Sequence, residues 1–390
     1  MGERAFDVDL DRLRRRRTVK WSLYGPDVLA AWVAEMDFDV APEVVGAIRA
    51  AVDREDFGYP EADLSALSAA CATFLTERHD WQVSPHRIFP VADVLAGIGG
   101  ALDLHVPAGA PVVLPTPAYP PLFEVIELSG RAVAPVPMVV EADRFVLDLE
   151  RIDGALAAGA GAVLLTSPHN PTGRVFGVAE LEALSQVVEH HGARVISDEV
   201  HAPLVPPGHR HIPYATVGPA AAHHAVTITS TSKAWNLAGL RCAQVIASHH
   251  DDAARWRSRS VFQVAAPTPL GVAASTAAYG EGVQWLDSLL AYLDRSRTLL
   301  GDLLADELPS VRYREPEGTY LAWLDCSELG LVDPARTFLD LGGVALSDGP
   351  PFGTGNDAMV RLNFATSHEL LERIVVQMGA AVRSSGRGGS

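Results

Sequence analysis

The chain has 390 residues, is 48% hydrophobic and 20% charged, and carries a formal net charge of −17. This composition suits a folded protein with a sizeable core, and the acidity argues against nucleic acid or an anionic membrane as its main partner. Lys20 and Lys233 are the only lysines, so arginine stands almost everywhere a positive charge is wanted, and each lysine raises the question of whether an amine is required there.

Residues 1–45 show no alternation of strands and helices and are expected to dock on a smaller domain. Arg14-Arg15-Arg16-Arg17 is followed by no apolar stretch of signal length. It therefore reads as a solvated basic face or an inter-subunit contact, not an export signal. No apolar run is long enough to span a membrane. Cys71, Cys242 and Cys326 are scattered and odd in number, which points to a reducing cytoplasm with neither a disulfide framework nor a metal site.

Residues 46–282 alternate short apolar runs with helical patterns. Candidate strands are Arg87–Val91, Pro111–Leu114, Ala162–Thr166, Arg194–Ser197, Ala225–Thr229 and Ala243–Ala247. Between them lie helices such as Val178–His190, where Leu181, Leu184, Val187 and Val188 share one face. This rhythm predicts an α/β class, a mostly parallel doubly wound sheet forming a large domain. Residues 283–383 read as a smaller α+β domain. It comprises helix Val283–Leu304, strand-like Thr319–Leu324, a Pro/Gly-rich loop Asp348–Gly355, strand-like Val360–Phe364 and helix Ser367–Val382. Residues 384–390 are low-complexity and read as a disordered tail.

Ligands of doubly wound sheets sit at the carboxyl ends of the strands. Four polar clusters follow predicted strands there: Asp93-Val94, Ser167 to Gly173, Asp198 to His201, and Ser230 to Lys233. An amine, an acid, an amide, hydroxyls and a helix N-terminus on one sheet edge suggest pyridoxal 5′-phosphate (PLP). Only a lysine amine can bond its aldehyde, a carboxylate must keep its ring nitrogen protonated, and its phosphate needs N–H groups, hydroxyls and an Arg such as Arg241.

Four segments carry a resemblance: Ser167-Pro-His-Asn-Pro-Thr-Gly-Arg-Val-Phe176, Ser197-Asp-Glu-Val-His-Ala-Pro-Leu-Val205, Thr229-Ser-Thr-Ser-Lys-Ala-Trp-Asn-Leu-Ala-Gly-Leu-Arg241 and Val360-Arg-Leu-Asn-Phe-Ala-Thr366. They resemble the fold type I, class I/II aminotransferase superfamily. Val19-Lys20-Trp21, Ala31 to Phe38, Phe57-Gly58-Tyr59, His169 and Asp198-Glu-Val-His201 resemble its MalY/PatB-type cystathionine β-lyase (C–S lyase) subgroup.

The resemblance implies that Lys233 bonds the cofactor and moves the Cα proton, with Asp198 on the pyridine nitrogen and Tyr119 stacked on the ring. Asn170 would bond the ring hydroxyl, with His201 nearby. Ser230, Ser232, Arg241 and the Asp93–Val94 backbone would hold the phosphate, and Tyr59 would reach the phosphate of a partner subunit in a homodimer. Arg361, with Asn170 and Ala34, would bind the substrate, an amino acid. Bland alternatives stand beside several of these: Asp198 and Asp93 as helix caps, Asn170 as turn chemistry, His201 as a packed core histidine, and Glu35 and Trp32 as ordinary packing. Trp235, Glu35 and Ala202-Pro203 depart from the subgroup's usual residues. Lys20 acquires no chemical role.

The implied reaction is α,β-elimination from an S-substituted L-cysteine, giving a thiol, pyruvate and ammonia. Rivals are transamination, a specialised natural-product reaction on a cysteine S-conjugate, and a regulatory protein binder. The basic Arg14–Arg17 patch is the one feature pointing to the last of these.

Overall fold

The computed structural model describes residues 6–259 and 265–386. A seven-stranded sheet forms the centre of the larger lobe, in the order Ile88–Val91, Ala243–Ala247, Ala225–Thr229, Arg194–Asp198, Ala162–Thr166, Val112–Thr116, Val133–Pro137. Only Ala243–Ala247 runs antiparallel to its neighbours. The inner strands are mostly apolar, and Ala162–Thr166, Ala225–Thr229 and Ala243–Ala247 are buried at every residue, because helices cover both faces. Residues from the two faces separate into two packed clusters, one around Val163, Val195 and Ile246, the other around Leu164, Ile196 and Val245.

The expected strands are present with ends shifted by one or two residues, apart from Ala162–Thr166, Ala225–Thr229 and Ala243–Ala247, which match at both ends. Val133–Pro137 is an additional edge strand. Its two prolines hid it from pattern reading, since proline is depleted in strands and found mostly at edges. Helix Val178–His190 has the expected bounds and buries Leu181, Leu184 and Val188.

The second lobe is built on a four-stranded antiparallel sheet, in the order Arg312–Tyr313, Leu321–Asp325, Met359–Asn363, Ser347–Asp348. Helices Val283–Glu307 and His368–Ser385 pack on one another beside it. Ser384 and Ser385 complete the last turn of that final helix, which corrects the expectation of a tail beginning at 384; residues 387–390 lie outside the described residues.

The N-terminal segment touches both lobes. Its strand Leu29–Ala30 pairs in parallel with Val344–Ala345 of the second lobe, while Asn236 of the larger lobe bonds Met36 through both the N–H and the carbonyl. Helix Pro42–Asp53 runs through the boundary expected at 45–46 and packs on helix Pro269–Gly280. The basic patch meets acids: Arg12 and Arg16 pair with Asp39, and Arg14 with Asp11. Lys20 and Asp37 form a buried ion pair at 2.9 Å, each 1% exposed.

Gly173 lies where the two lobes touch. It has φ +70°, its carbonyl accepts from Gly318 N–H at 2.9 Å, and a Cβ there would lie 2.3 Å from Pro316 Cβ. Gly173→Ala therefore combines left-handed strain with a backbone clash, and should cost more than about 2 kcal/mol in urea unfolding. A variant as stable as the parent would refute this account.

Candidate active site

Strand register aligns the chemistry. Thr166 pairs with Asp198, and Asp198 with Ile228, so the polar residues that follow these strands emerge side by side. The strand Ile88–Val91 shares their direction and leads into Asp93, which caps helix Val94–His105 by accepting from Ala96 N–H at 2.8 Å. The first N–H groups of that helix have no partner within it and leave a positive end there. All of these clusters meet at one cavity of about 220 Å³.

Of the expected site residues, Ala34, Asp93, Val94, Tyr119, Asn170, Asp198, His201, Ser230, Ser232, Lys233 and Arg241 line the cavity. Arg361 lies behind Asn170, donating to its Oδ1 at 3.0 Å. Tyr59 is not brought to the cavity within one chain; it is 99% exposed.

Three ionisable groups here are buried without an opposite charge bonded to them. Lys233 Nζ donates to Ala34 O at 3.0 Å, and burial, with Arg361 nearby, pushes its amine down to about 8. Asp198 accepts from Val200 N–H at 3.1 Å, and burial pushes its carboxyl up to about 6. Arg361 donates to Asn170 Oδ1, Trp32 O and Ser347 Oγ, all at 3.0 Å and none acidic, and burial pushes it down to about 10. Its guanidinium also lies 5.1 Å from the Phe352 ring centroid. His201 is held well below its ordinary range by burial and by the charges of Lys233 and Arg361, so its ring is neutral.

Burying unneutralised charges is costly unless a ligand completes them. The groups present fit PLP. Asp198 is an isolated buried carboxylate able to face a protonated ring nitrogen. Lys233 is an amine of lowered basicity, and the buried His201 Nδ1 has no hydrogen-bond partner. Asp93 and Arg241, which are ion-paired, stand at the helix N-terminus. Ser230 donates to Cys242 O at 2.7 Å and accepts from Ser232 N–H, which braces the turn that presents Lys233.

Sequence reasoning missed several contributors. Leu95, Thr166, Val200, Ala238 and Cys242 also line the cavity. Thr166 ends a predicted strand and Val200 follows Asp198, so strand-end position could have found both. Tyr320 and Ser347, and the backbone carbonyls of Trp32 and Ala34, carry no local pattern that would mark them. Tyr320 Oη donates to Ala34 O at 3.0 Å. Glu35 accepts from Thr18 Oγ1 at 2.7 Å and does not line the cavity. Trp235 is wholly buried, donates to Gly282 O at 3.0 Å and packs edge-on against Phe74 and Tyr279, so this departure is a core feature.

A seven-stranded α/β sheet carrying this lysine, carboxylate and helix N-terminus at its carboxyl edge defines a fold type I PLP enzyme. The model of the aminotransferase class I and II family matches residues 32–377, and the chain belongs to that family, in its MalY/PatB-type cystathionine β-lyase subgroup. It is 38% identical to a cystathionine β-lyase of Corynebacterium glutamicum, over 93% of this chain and 96% of that protein. It is 32% identical to cystathionine β-lyase PatB of Bacillus subtilis, over 95% and 98% of the two chains. The solved structure of a PLP-bound C–S lyase from Staphylococcus hominis superposes with a TM-score of 0.88 at 26% identity, covering 95% and 96% of the chains.

Proposed function

We propose that the protein is a PLP-dependent carbon–sulfur β-lyase that converts an S-substituted L-cysteine, cystathionine-like, into a thiol, pyruvate and ammonia. The observation that carries a PLP reading is a set of buried charges without mutual neutralisation, Lys233 and Asp198 on the cavity and Arg361 behind Asn170. The choice of carbon–sulfur cleavage rests on full-length likeness to cystathionine β-lyases.

Lys233 would bond the cofactor's aldehyde, and Asp198 would face its ring nitrogen. Asn170 would take the ring hydroxyl, with His201 beside it and Tyr119 against the ring. The N–H groups at Asp93–Val94, with Ser230, Ser232 and Arg241, would take the phosphate. When bound, the cofactor supplies an electron sink that makes the substrate's Cα–H acidic. Arg361, with Asn170 and Ala34, binds the substrate carboxylate as a two-pronged donor and so presents Cα to Lys233. The Lys233 amine, lowered in basicity by burial, takes the Cα proton on Nζ. Asp198 remains charged through the cycle, because a cation on its neighbour removes the penalty that raises its carboxyl.

Residues 46–282 form the cofactor lobe in this proposal, and residues 283–383 with the N-terminal 1–45 form the lobe carrying Arg361. Tyr59 would reach a partner's site in a homodimer, a reading with which the 99% exposure of Tyr59 and 65% exposure of Phe57 agree. No helix among the described residues is long and apolar enough to cross a membrane, and three cysteines, all buried and unpaired, fit a cytoplasmic location.

The test is a product assay on several cysteine S-conjugates, cystathionine among them, with added PLP and without any 2-oxo acid. Stoichiometric thiol and pyruvate are expected. Turnover only when a 2-oxo acid is supplied would establish transamination instead.

A further inference from the structure

The two lysines of this chain end on the same piece of backbone. Lys233 donates to Ala34 O, and Lys20 donates to the next carbonyl, Glu35 O, at 2.8 Å. Residues 31–40 have no regular secondary structure beyond isolated bends. Backbone bonds tie the segment at Ala31 and Asp37, and side chains take up the carbonyls between. Arg361 holds Trp32 O, Tyr320 holds Ala34 O, and Asn363 Nδ2 holds Val33 O and Glu35 O, both at 2.7 Å. These donors all come from the second lobe, and Lys233 comes from the larger one. Asn236 of the larger lobe bonds Met36, and Lys20, from the N-terminal turn Val19–Ser22, adds a donor from a third direction of the chain.

The anchor is built for a point charge. Asp37 Oδ1 accepts from Lys20 Nζ at 2.9 Å and from Trp21 Nε1 at 2.8 Å, and Asp37 N–H donates to Ala365 O at 2.9 Å. Lys20 and Asp37 are each 1% exposed. An ammonium serves two acceptors from one atom at the end of a slim stem, whereas a guanidinium presents a wide planar fork. This accounts for a lysine in a chain that otherwise uses arginine.

We propose that Lys20 is a positioning residue. Through Asp37 and Glu35 O it sets the 32–37 strap, whose carbonyls orient the Lys233 amine and the Arg361 guanidinium. The proposal rests on assigning those two groups to proton transfer and carboxylate binding. It adds an element outside the cavity lining, acting through Ala34 O and Trp32 O.

The experiment uses Lys20→Met/Asp37→Asn, which removes both buried charges together, and Lys20→Arg. In the cofactor-free protein, acylation of Lys233 by acetic anhydride is followed against pH by peptide mass spectrometry. Loosening the strap admits water to Lys233 and returns its amine toward ordinary basicity, so its acylation rate at pH 7.5 should fall about fivefold. In the loaded enzyme, KM for a cysteine S-conjugate should rise about tenfold with kcat changed less than about threefold. Lys20→Arg should not restore either value.

A folded double variant with unchanged Lys233 reactivity and unchanged KM overturns the proposal, as does full rescue by Lys20→Arg. If the double variant fails to fold, Trp21→Phe takes its place. It withdraws one donor from Asp37, and a change in the same direction of about twofold is expected; no change overturns the proposal. The acylation arm needs no turnover, so a failure of the lyase reading, seen as no thiol release from the wild type, is distinguishable from a failure of this one.

Discussion

Lys233→Arg should abolish turnover, with kcat down by at least about four orders of magnitude, while the variant folds normally. The guanidinium keeps the positive charge and can still reach the Ala34 carbonyl. It cannot lose a proton near neutral pH and cannot bond an aldehyde, so both tasks assigned to the amine are lost together. Two measurements check this on one sample. Absorbance of the dialysed protein should show no covalently held cofactor, and thiol release should be at background. Near-normal turnover would overturn the assignment of Lys233. The other lysine offers no substitute, because Lys20 is committed to Asp37 and Glu35 O and does not line the cavity.

Asp198→Asn should lower kcat by about 10²- to 10⁴-fold, since a neutral amide cannot hold a proton on the cofactor's ring nitrogen. The same substitution has an opposite effect on the stability of the cofactor-free chain. Burial raises the Asp198 carboxyl from 3.8 to about 6, so the folded protein binds its proton more tightly than the unfolded chain does. Stability is therefore lost as pH rises between about 4 and about 6, by about 2 to 3 kcal/mol at most, and that loss persists at neutral pH. The isosteric amide carries no charge to desolvate. Urea unfolding of the cofactor-free variant at pH 4.5 and 7 should lack this component, leaving Asp198→Asn more stable than wild type at pH 7. A less stable variant at pH 7 would mean that the carboxylate is already satisfied within the protein. Added PLP should then stabilise wild type far more than the variant, because the ligand binds the folded state alone and supplies the missing cation.

Much of the site was legible because its chemistry is encoded locally. A buried parallel strand reads as a short apolar run, and whatever polar group ends the run must face the carboxyl edge of the sheet. Asp198, the Asn170 turn and the Ser230–Lys233 turn each follow such a run, so their convergence could be inferred without knowing the strand order. Val133–Pro137 escaped because its edge position is a property of the sheet and not of the segment. The extent of the terminal helix escaped as well. Ser384 and Ser385 have weak helical preference, and their place in the last turn follows from the packed helix before them.

By itself, the amino-acid sequence determined the α/β class, the candidate reactive amine and the cofactor chemistry to which it points. These depend on side-chain type at strand ends, and side-chain type is what a sequence records. Tertiary structure alone decided what holds the reactive groups in place. Lys233, Arg361 and Lys20 each donate to a backbone carbonyl of residues 32–35, and every residue carries such a carbonyl. Which carbonyl is used depends on how two lobes and an N-terminal strap pack, a matter of three-dimensional contact between segments as much as 329 residues apart. Lys20, without a role in the linear reading, acquires one only when that packing brings it next to the strap that also holds Lys233.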